Sequence, residues 1–155
     1  MLKSIRPLIL MALLGGAAAP LPALAQGVSQ FPLEGLWIGR FFGTDQDTSM
    51  AAPSSFCGAH ASHFQEIYFQ FGRVNAVLTD RFGFQLELAG AFIGRNFIGE
   101  VRLTDGKGLE LLGPAKGILG GTGEARISFQ AKDLGGNSDR VCNAVFRMKK
   151  GTGGD

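Results

Sequence analysis

Apolar and polar residues alternate with a repeat of two in several stretches of the chain. The apolar positions of these runs are Phe82, Phe84, Leu86 and Leu88; Ile67, Phe69 and Phe71; Ala125, Ile127, Phe129 and Ala131; and Cys142, Ala144, Phe146 and Met148. This repeat is typical of β-strands that bury one face. From residue 26 onward no stretch sustains a helical repeat, so the pattern predicts an all-β protein.

Turn-forming residues separate these runs at intervals of about 8–12 residues. Clear examples are Asp105-Gly106-Lys107-Gly108 and Gly120-Gly121-Thr122-Gly123, which favour tight turns between antiparallel strands. This spacing predicts about eight short strands. Because such a sheet must hide its edges, we expect an antiparallel up-and-down barrel or a compact sandwich.

The first 25 residues have the layout of a cleavable secretory signal peptide. Lys3 and Arg6 precede an apolar stretch over residues 8–19, and small residues at Ala23 and Ala25 end the segment. We therefore predict a signal peptide at residues 1–25, a single barrel-like domain at 26–150 and a flexible Gly-rich tail at 151–155. The expected location is the periplasm or the exterior of the cell, with no membrane span in the mature protein.

Charge and composition narrow the range of partners. Lys3 and Arg6 are the only charges before residue 26, so the remaining 13 basic residues balance 13 acidic ones. This balance argues against nucleic acid as a partner, because binding to phosphates needs a basic face. With 45% hydrophobic residues, the chain is expected to fold.

Both cysteines, Cys57 and Cys142, lie in the predicted mature part. In an exported protein an even cysteine count indicates a disulfide. Alternation places Cys142 on the same strand face as Phe146, so we expect the bridge to be at least partly buried. A pair of metal-binding thiols is the less favoured alternative.

About 20 residues from Thr44 to His63 carry no strand pattern, and connections of that length in small domains are often functional. His60 and His63, three residues apart, could hold a metal with Asp45 or Asp47 as a third ligand. The simpler interpretation is two exposed loop histidines.

No enzyme motif is present in the sequence. It contains no G-x-S-x-G turn, and the glycine-rich segment 117–123 lacks the G-K-[ST] ending of a phosphate loop. We therefore predict a protein without catalytic activity and without a cofactor.

The chain contains 13 Phe, one Trp and one Tyr. These residues either fill the interior of the barrel or line a hollow for one small ligand. If a ligand binds, Trp37, Phe41, Phe42 and Tyr68 are the predicted contacts.

Gly35-Leu36-Trp37, followed by Gly39, opens the first predicted strand. This G-x-W start, with a meander and a long first loop, resembles the calycin-type secreted barrels, the lipocalins and avidins. It is also similar to small periplasmic bacterial proteins of unknown function that end in an Arg-x-Cys strand, here Arg140-Val-Cys142. The resemblance implies a Trp packed across the barrel floor and a ligand site at the mouth.

These observations predict an exported, non-catalytic binding or accessory protein of the cell envelope. A small apolar ligand or a protein partner would bind at the barrel mouth and the 44–63 loop. One alternative is a periplasmic protease-inhibitor-like barrel, with residues 26–32 as its N-terminal inhibitory segment. A metal-dependent hydrolase using His60 and His63 is a less favoured alternative. The oligomeric state is left open.

Overall fold

A computed structural model describes residues 33–44, 54–58, 63–136 and 138–151. The predicted signal peptide and the last four residues of the predicted tail lie outside this range. The described residues form eight β-strands and no helix. The strands are β1 (Gly35–Gly43), β2 (Gln65–Phe69), β3 (Arg73–Thr79), β4 (Gln85–Ile93), β5 (Asn96–Thr104), β6 (Glu110–Leu119), β7 (Glu124–Asp133) and β8 (Val141–Lys150).

The eight strands form one antiparallel sheet that curls into a nearly closed barrel. Neighbouring strands follow the order β2-β1-β8-β7-β6-β5-β4-β3, so the first and last strands of the chain pair with each other. The all-β prediction and the number of strands are confirmed, and the barrel replaces the sandwich alternative. The architecture is compatible with the calycin-like layout.

The alternation predicted for β7 is confirmed, whereas on β8 the predicted inward positions are buried and so are Asn143 and Val145 between them. On β7, Ala125, Ile127, Phe129 and Ala131 are buried, and on β8 Cys142, Ala144, Phe146 and Met148 are buried. Their neighbours on β7 face outward and are exposed. The inner face of the barrel therefore follows directly from the repeat of two.

Two aromatic positions of the predicted runs are exposed instead of buried. Phe71 is 81% exposed because it lies in the two-residue turn between β2 and β3, where both Phe71 (φ 51°) and Gly72 (φ 73°) have positive φ. Positive φ at both central residues is the mark of a type I′ hairpin turn. Phe82 is 45% exposed because it lies in the turn before β4, not in the strand.

Two aromatic clusters lie in the interior of the barrel. At the end where β1 finishes, the Phe41 ring stacks on Phe146 at 4.4 Å between centroids and meets Phe56 (5.1 Å) and Phe129 (6.1 Å) edge-on. We call this set the first aromatic cluster. Its rings are at most 5% exposed.

The second aromatic cluster lies at the opposite end and consists of Trp37, Phe69, Phe92 and Phe97. Centroid distances along it are 5.9, 5.5 and 5.2 Å. Trp37 Nε1 donates a hydrogen bond to the Leu33 carbonyl at 3.2 Å, so its polar atom is satisfied although the side chain is only 2% exposed.

One pair of opposed glycines makes room for this second cluster. Gly90 on β4 faces Gly99 on β5, and a Cβ atom at Gly90 would lie 2.5 Å from the Phe97 ring and 2.8 Å from Gly99 Cα. Only hydrogen fits at such a distance. The missing side chains therefore let the Phe97 ring lie against the sheet.

Candidate functional site

The barrel is not closed by strand pairing alone. β2 pairs with β1 only as far as Gln65, opposite Gly39, which leaves the end of β1 without a β2 partner. β2 and β3 are joined by a single bridge, Gln70 to Arg73, beside their turn. The gap therefore lies between β2 and β3, at the end of the barrel that holds the first aromatic cluster.

Residues Ser54–Gly58 lie at this gap, and we call them the sealing segment. On one side, Gly43 N at the end of β1 donates a hydrogen bond to the Gly58 carbonyl at 3.1 Å. On the other side, Ser55 N donates to the Asp80 carboxylate, just after β3, at 2.8 Å. The segment thus connects β1 to the end of β3, where strand pairing stops.

A disulfide fastens the middle of the sealing segment to the last strand. Cys57 and Cys142 are bonded, lie 85 positions apart in sequence, and are 1% and 0% exposed. The predicted bridge and its burial are confirmed. The neighbouring Phe56 is fully buried and forms part of the first aromatic cluster, so the segment also completes the core.

The sealing segment has its own local hydrogen bonds. Gly58 N donates to the Ser54 carbonyl at 3.1 Å, and Phe56 N donates to Ser54 Oγ at 3.2 Å. Serine hydroxyls commonly satisfy nearby backbone donors in this way. The segment is therefore one tight turn, fixed within itself as well as to the barrel.

Asp80 is the acidic side chain on which this arrangement depends. It is 7% exposed, and no cation of the described chain pairs with it. Its Oδ1 accepts hydrogen bonds from Phe82 N (2.8 Å) and Phe84 N (3.0 Å), and its Oδ2 accepts from Ser55 N and Ser55 Oγ (3.3 Å). One carboxylate therefore both shapes the β3–β4 turn and holds the sealing segment.

Exposed apolar side chains lie around the same end of the barrel. They are Phe64 (63% exposed) before β2, Phe82 (45%) between β3 and β4, and Leu134 (73%) between β7 and β8. We call these three residues the apolar rim. The Arg81 guanidinium lies 4.7 Å from the centre of the Phe82 ring, and the Arg40 guanidinium lies 3.8 Å from that of the Phe64 ring. Two rim residues are therefore held by cation–π contacts.

Asp105, in the β5–β6 turn at this end, accepts hydrogen bonds from Lys107 N (2.8 Å) and Leu109 N (2.9 Å). Desolvation raises the pKa of this carboxyl, but the two hydrogen bonds and the nearby Lys107 charge outweigh it. The pKa of Asp105 therefore lies below its usual value.

The four predicted ligand-binding residues do not share one surface. Trp37 and Phe41 point into the barrel, in different aromatic clusters, and are 2% and 1% exposed. Phe42 and Tyr68 are on the outer face, on β1 and β2. Their role in binding stays a prediction, and a single ligand could not contact all four in this arrangement.

The predicted metal site is described only in part. His60 lies outside the described residues, as do Asp45 and Asp47, whereas His63 is exposed just before β2. Within the ranges that the structure describes, no three His, Cys, Asp or Glu side chains form a group that could hold a metal ion. Metal binding by the histidine pair stays a prediction.

Sequence reasoning did not identify Asp80 or the sealing segment as a unit. Ser55 and Asp80 are 25 residues apart in sequence, and nothing in the local sequence indicates that they meet. The available signal was the Asp80-to-Phe84 stretch, in which an Asp precedes a glycine-containing turn.

Comparison of the chain with protein-family models, with curated proteins and with solved structures gives no significant match. Among the described residues, no helix has the length and apolar character needed to cross a membrane.

Proposed function

We propose that this chain is an exported, non-catalytic binding protein of the cell envelope, and that it contacts a protein partner through the apolar rim. The observation that carries the proposal is the fixed end of the barrel. A disulfide, the Asp80 carboxylate and a backbone hydrogen bond to β1 hold the sealing segment, and exposed Phe64, Phe82 and Leu134 surround that end.

A rigid surface that presents apolar side chains favours protein binding for two reasons. Burial of exposed apolar area provides the favourable free energy. Little conformational entropy is lost on binding when the surface is already fixed. The aromatic clusters inside the barrel support a partner outside it over the apolar ligand inside that a calycin-like barrel would take.

The disulfide supports the proposed export. Structural disulfides persist in oxidising compartments and are rare in reducing ones. In the periplasm or outside the cell, Cys57 and Cys142 would stay bonded and the sealing segment would stay in place.

Site-specific photo-crosslinking in the cell that makes the protein tests this proposal. A benzophenone side chain replaces Phe82 or Leu134 on the apolar rim, and Ile93 provides the control. Ile93 is equally apolar and 67% exposed, but it ends β4 at the opposite end of the barrel. We expect one protein adduct of the same mass from both rim positions and none from the control.

Adducts of equal yield from all three positions, or from the control alone, would contradict the rim as the binding surface. Native mass spectrometry of the mature protein separates the two kinds of ligand. A bare mass agrees with a protein partner, whereas a retained small apolar molecule would shift the proposal back to the barrel interior.

A further inference from the structure

Three arginines stand in one row across the outer face of the barrel. Arg126 on β7 is directly opposite Arg147 on β8, and Arg147 is directly opposite Arg40 on β1. Adjacent strands are about 4.8 Å apart, so the row extends over about 10 Å. We call these three residues the arginine row.

This arrangement is electrostatically unfavourable in the protein alone. Like charges directly opposite each other on neighbouring strands are destabilising, and Arg147 has such a neighbour on both sides. Among the described residues, none of the three forms an ion pair. Within the described chain, no carboxylate therefore offsets the repulsion through an ion pair.

The nearest carboxylates do not neutralise the arginine row. Glu124 precedes Arg126 on the outer face of β7, but it is bound to Lys149 Nζ at 2.8 Å. That hydrogen bond and the Glu124 charge raise the pKa of Lys149, so the two charges cancel each other. Glu66 on β2 lies diagonally from Arg40, opposite Ile38, and no ion pair joins it to Arg40.

Aromatic rings hold two of the guanidinium groups. The Arg40 guanidinium lies 3.8 Å from the centre of the Phe64 ring, and that of Arg147 lies 5.1 Å from the centre of the Phe42 ring. A guanidinium stacked on a ring keeps its in-plane N–H groups available as donors. Arg40 Nε is buried and has no hydrogen-bond partner within the described residues.

A surface groove runs beside Arg126 and Arg147. It has a volume of about 440 Å³, and Ile118, Met148 and the Glu124–Lys149 pair also line it. Ile118 on β6 is directly opposite Arg126 and is 54% exposed. The groove thus offers two unpaired guanidinium groups beside an apolar side chain.

We propose that the arginine row and this groove bind a phosphate monoester whose organic part contacts Ile118. A phosphate monoester carries a charge of about −1.5 to −2 near neutral pH, which matches two guanidinium groups. Arginine donates paired hydrogen bonds to phosphate oxygens. Binding would also remove the repulsion between Arg126 and Arg147. The groove beside Arg126 and Arg147 contains no residue of the apolar rim, although Arg40 contacts the rim residue Phe64, so either proposal can fail without the other.

Calorimetric titration of the oxidised mature protein with phenyl phosphate at low ionic strength tests the proposal. We expect saturable binding with a dissociation constant of about 1 mM or below. Arg147→Gln and Arg126→Gln should each weaken this binding about tenfold or more, because each removes a charge-assisted donor pair. Arg102→Gln is the matched control, since Arg102 is a half-exposed outer-face arginine already paired with Glu110 at 2.9 Å.

The unliganded variants provide a second measurement. Because Arg147 faces a like charge on both sides, Arg147→Gln should raise the melting temperature at low salt, and the difference should shrink as salt screens the repulsion. Arg102→Gln should not raise it, since that change breaks an ion pair. Both results would agree with an uncompensated arginine row.

Binding of phenyl phosphate that is equally tight in Arg147→Gln and Arg102→Gln would overturn the proposal, and so would no saturable binding at all. Equal affinity for benzoate would overturn the assignment to phosphate. Two vesicle preparations distinguish the sources of the phosphate group. If the protein sediments with phosphatidic acid vesicles but not with phosphatidylcholine vesicles, and this sedimentation depends on Arg147, the phosphate group belongs to a lipid headgroup. If the protein binds phenyl phosphate but sediments with neither kind of vesicle, the ligand is a soluble ester.

Discussion

Replacement of Asp80 tests whether one carboxylate fastens the sealing segment to the barrel. In Asp80→Ala, the N–H groups of Ser55, Phe82 and Phe84 lose their acceptor, and each lies in or beside a buried part of the chain. Hydrogen bonds to a charged group contribute about 1.5–3 kcal/mol each. Water reaches some of the freed donors, so we expect a total loss of roughly 3–5 kcal/mol in the free energy of unfolding.

Asp80→Asn separates the two halves of this carboxylate. The amide oxygen can still accept from Phe82 N and Phe84 N, whereas the amide NH₂ would face the Ser55 donors and cannot accept from them. Asp80→Asn should therefore lose only the hydrogen bonds to Ser55 in the sealing segment, which lowers the free energy of unfolding by about 1.5–3 kcal/mol. Asp105→Asn is the matched control, because Asp105 accepts from two turn N–H groups but links no distant segment.

Urea unfolding of the oxidised mature protein measures these differences. With a slope of about 1.5 kcal/mol per molar urea, Asp80→Ala should lower the midpoint by about 2–3 M, and Asp80→Asn by about 1–2 M. The control should lie within about 1 M of the parent. Equal losses in Asp80→Asn and Asp80→Ala, or losses no larger than that of the control, would refute the reasoning.

Three further predictions concern stability. Reduction of the Cys57–Cys142 bond should lower the free energy of unfolding by about 4–5 kcal/mol for a loop of this length. Urea unfolding with and without reductant measures this difference. A change under about 1 kcal/mol would contradict a stabilising role of the disulfide. Gly90→Ala should lower the free energy of unfolding by about 1–3 kcal/mol, because the added Cβ meets the Phe97 ring and the β5 backbone. Gly121→Ala is the control and should be as stable as the parent protein, because the space around Gly121 is open. Equal melting temperatures of the two variants would contradict this prediction. The lowered pKa of Asp105 means that its ionised form stabilises the fold above the usual carboxyl pKa of 3.8, and that this stability is lost as pH falls through the lowered pKa. The stability of Asp105→Asn should therefore decline less steeply with falling pH than that of the parent protein. Parallel stability curves for the two proteins would contradict this contribution.

The sequence was sufficient for the features that follow from local alternation. The buried positions of β7 repeat every second residue, and the predicted inward positions of β8 are buried, so the burial of Phe129, Phe146 and Cys142 could be predicted. The same rule gave the wrong side for Phe71, because alternation ends where a turn begins. The Phe71-Gly72-Arg73 stretch also carries a turn signal, but a phenylalanine with positive φ is uncommon.

Features that depend on strand register could not be predicted. Arg40, Arg126 and Arg147 lie on three strands, and only the pairing of β1 with β8 and of β8 with β7 brings them into one row. The same holds for Ser55 and Asp80, which meet through the gap between β2 and β3. The grouping of the inward-facing rings into two clusters was also open, because a count of phenylalanines does not say which rings meet.

The pairing of β1 with β8 has a consequence for the order in which this protein can be assembled during synthesis. β1, at the start of the domain, lacks one of its two neighbours until residues 141–150 have been made, and Cys57 must wait for Cys142. Contacts this far apart in sequence slow folding. The β1 edge therefore stays open until β8 pairs with it, so closure of the barrel waits for the last strand of the domain.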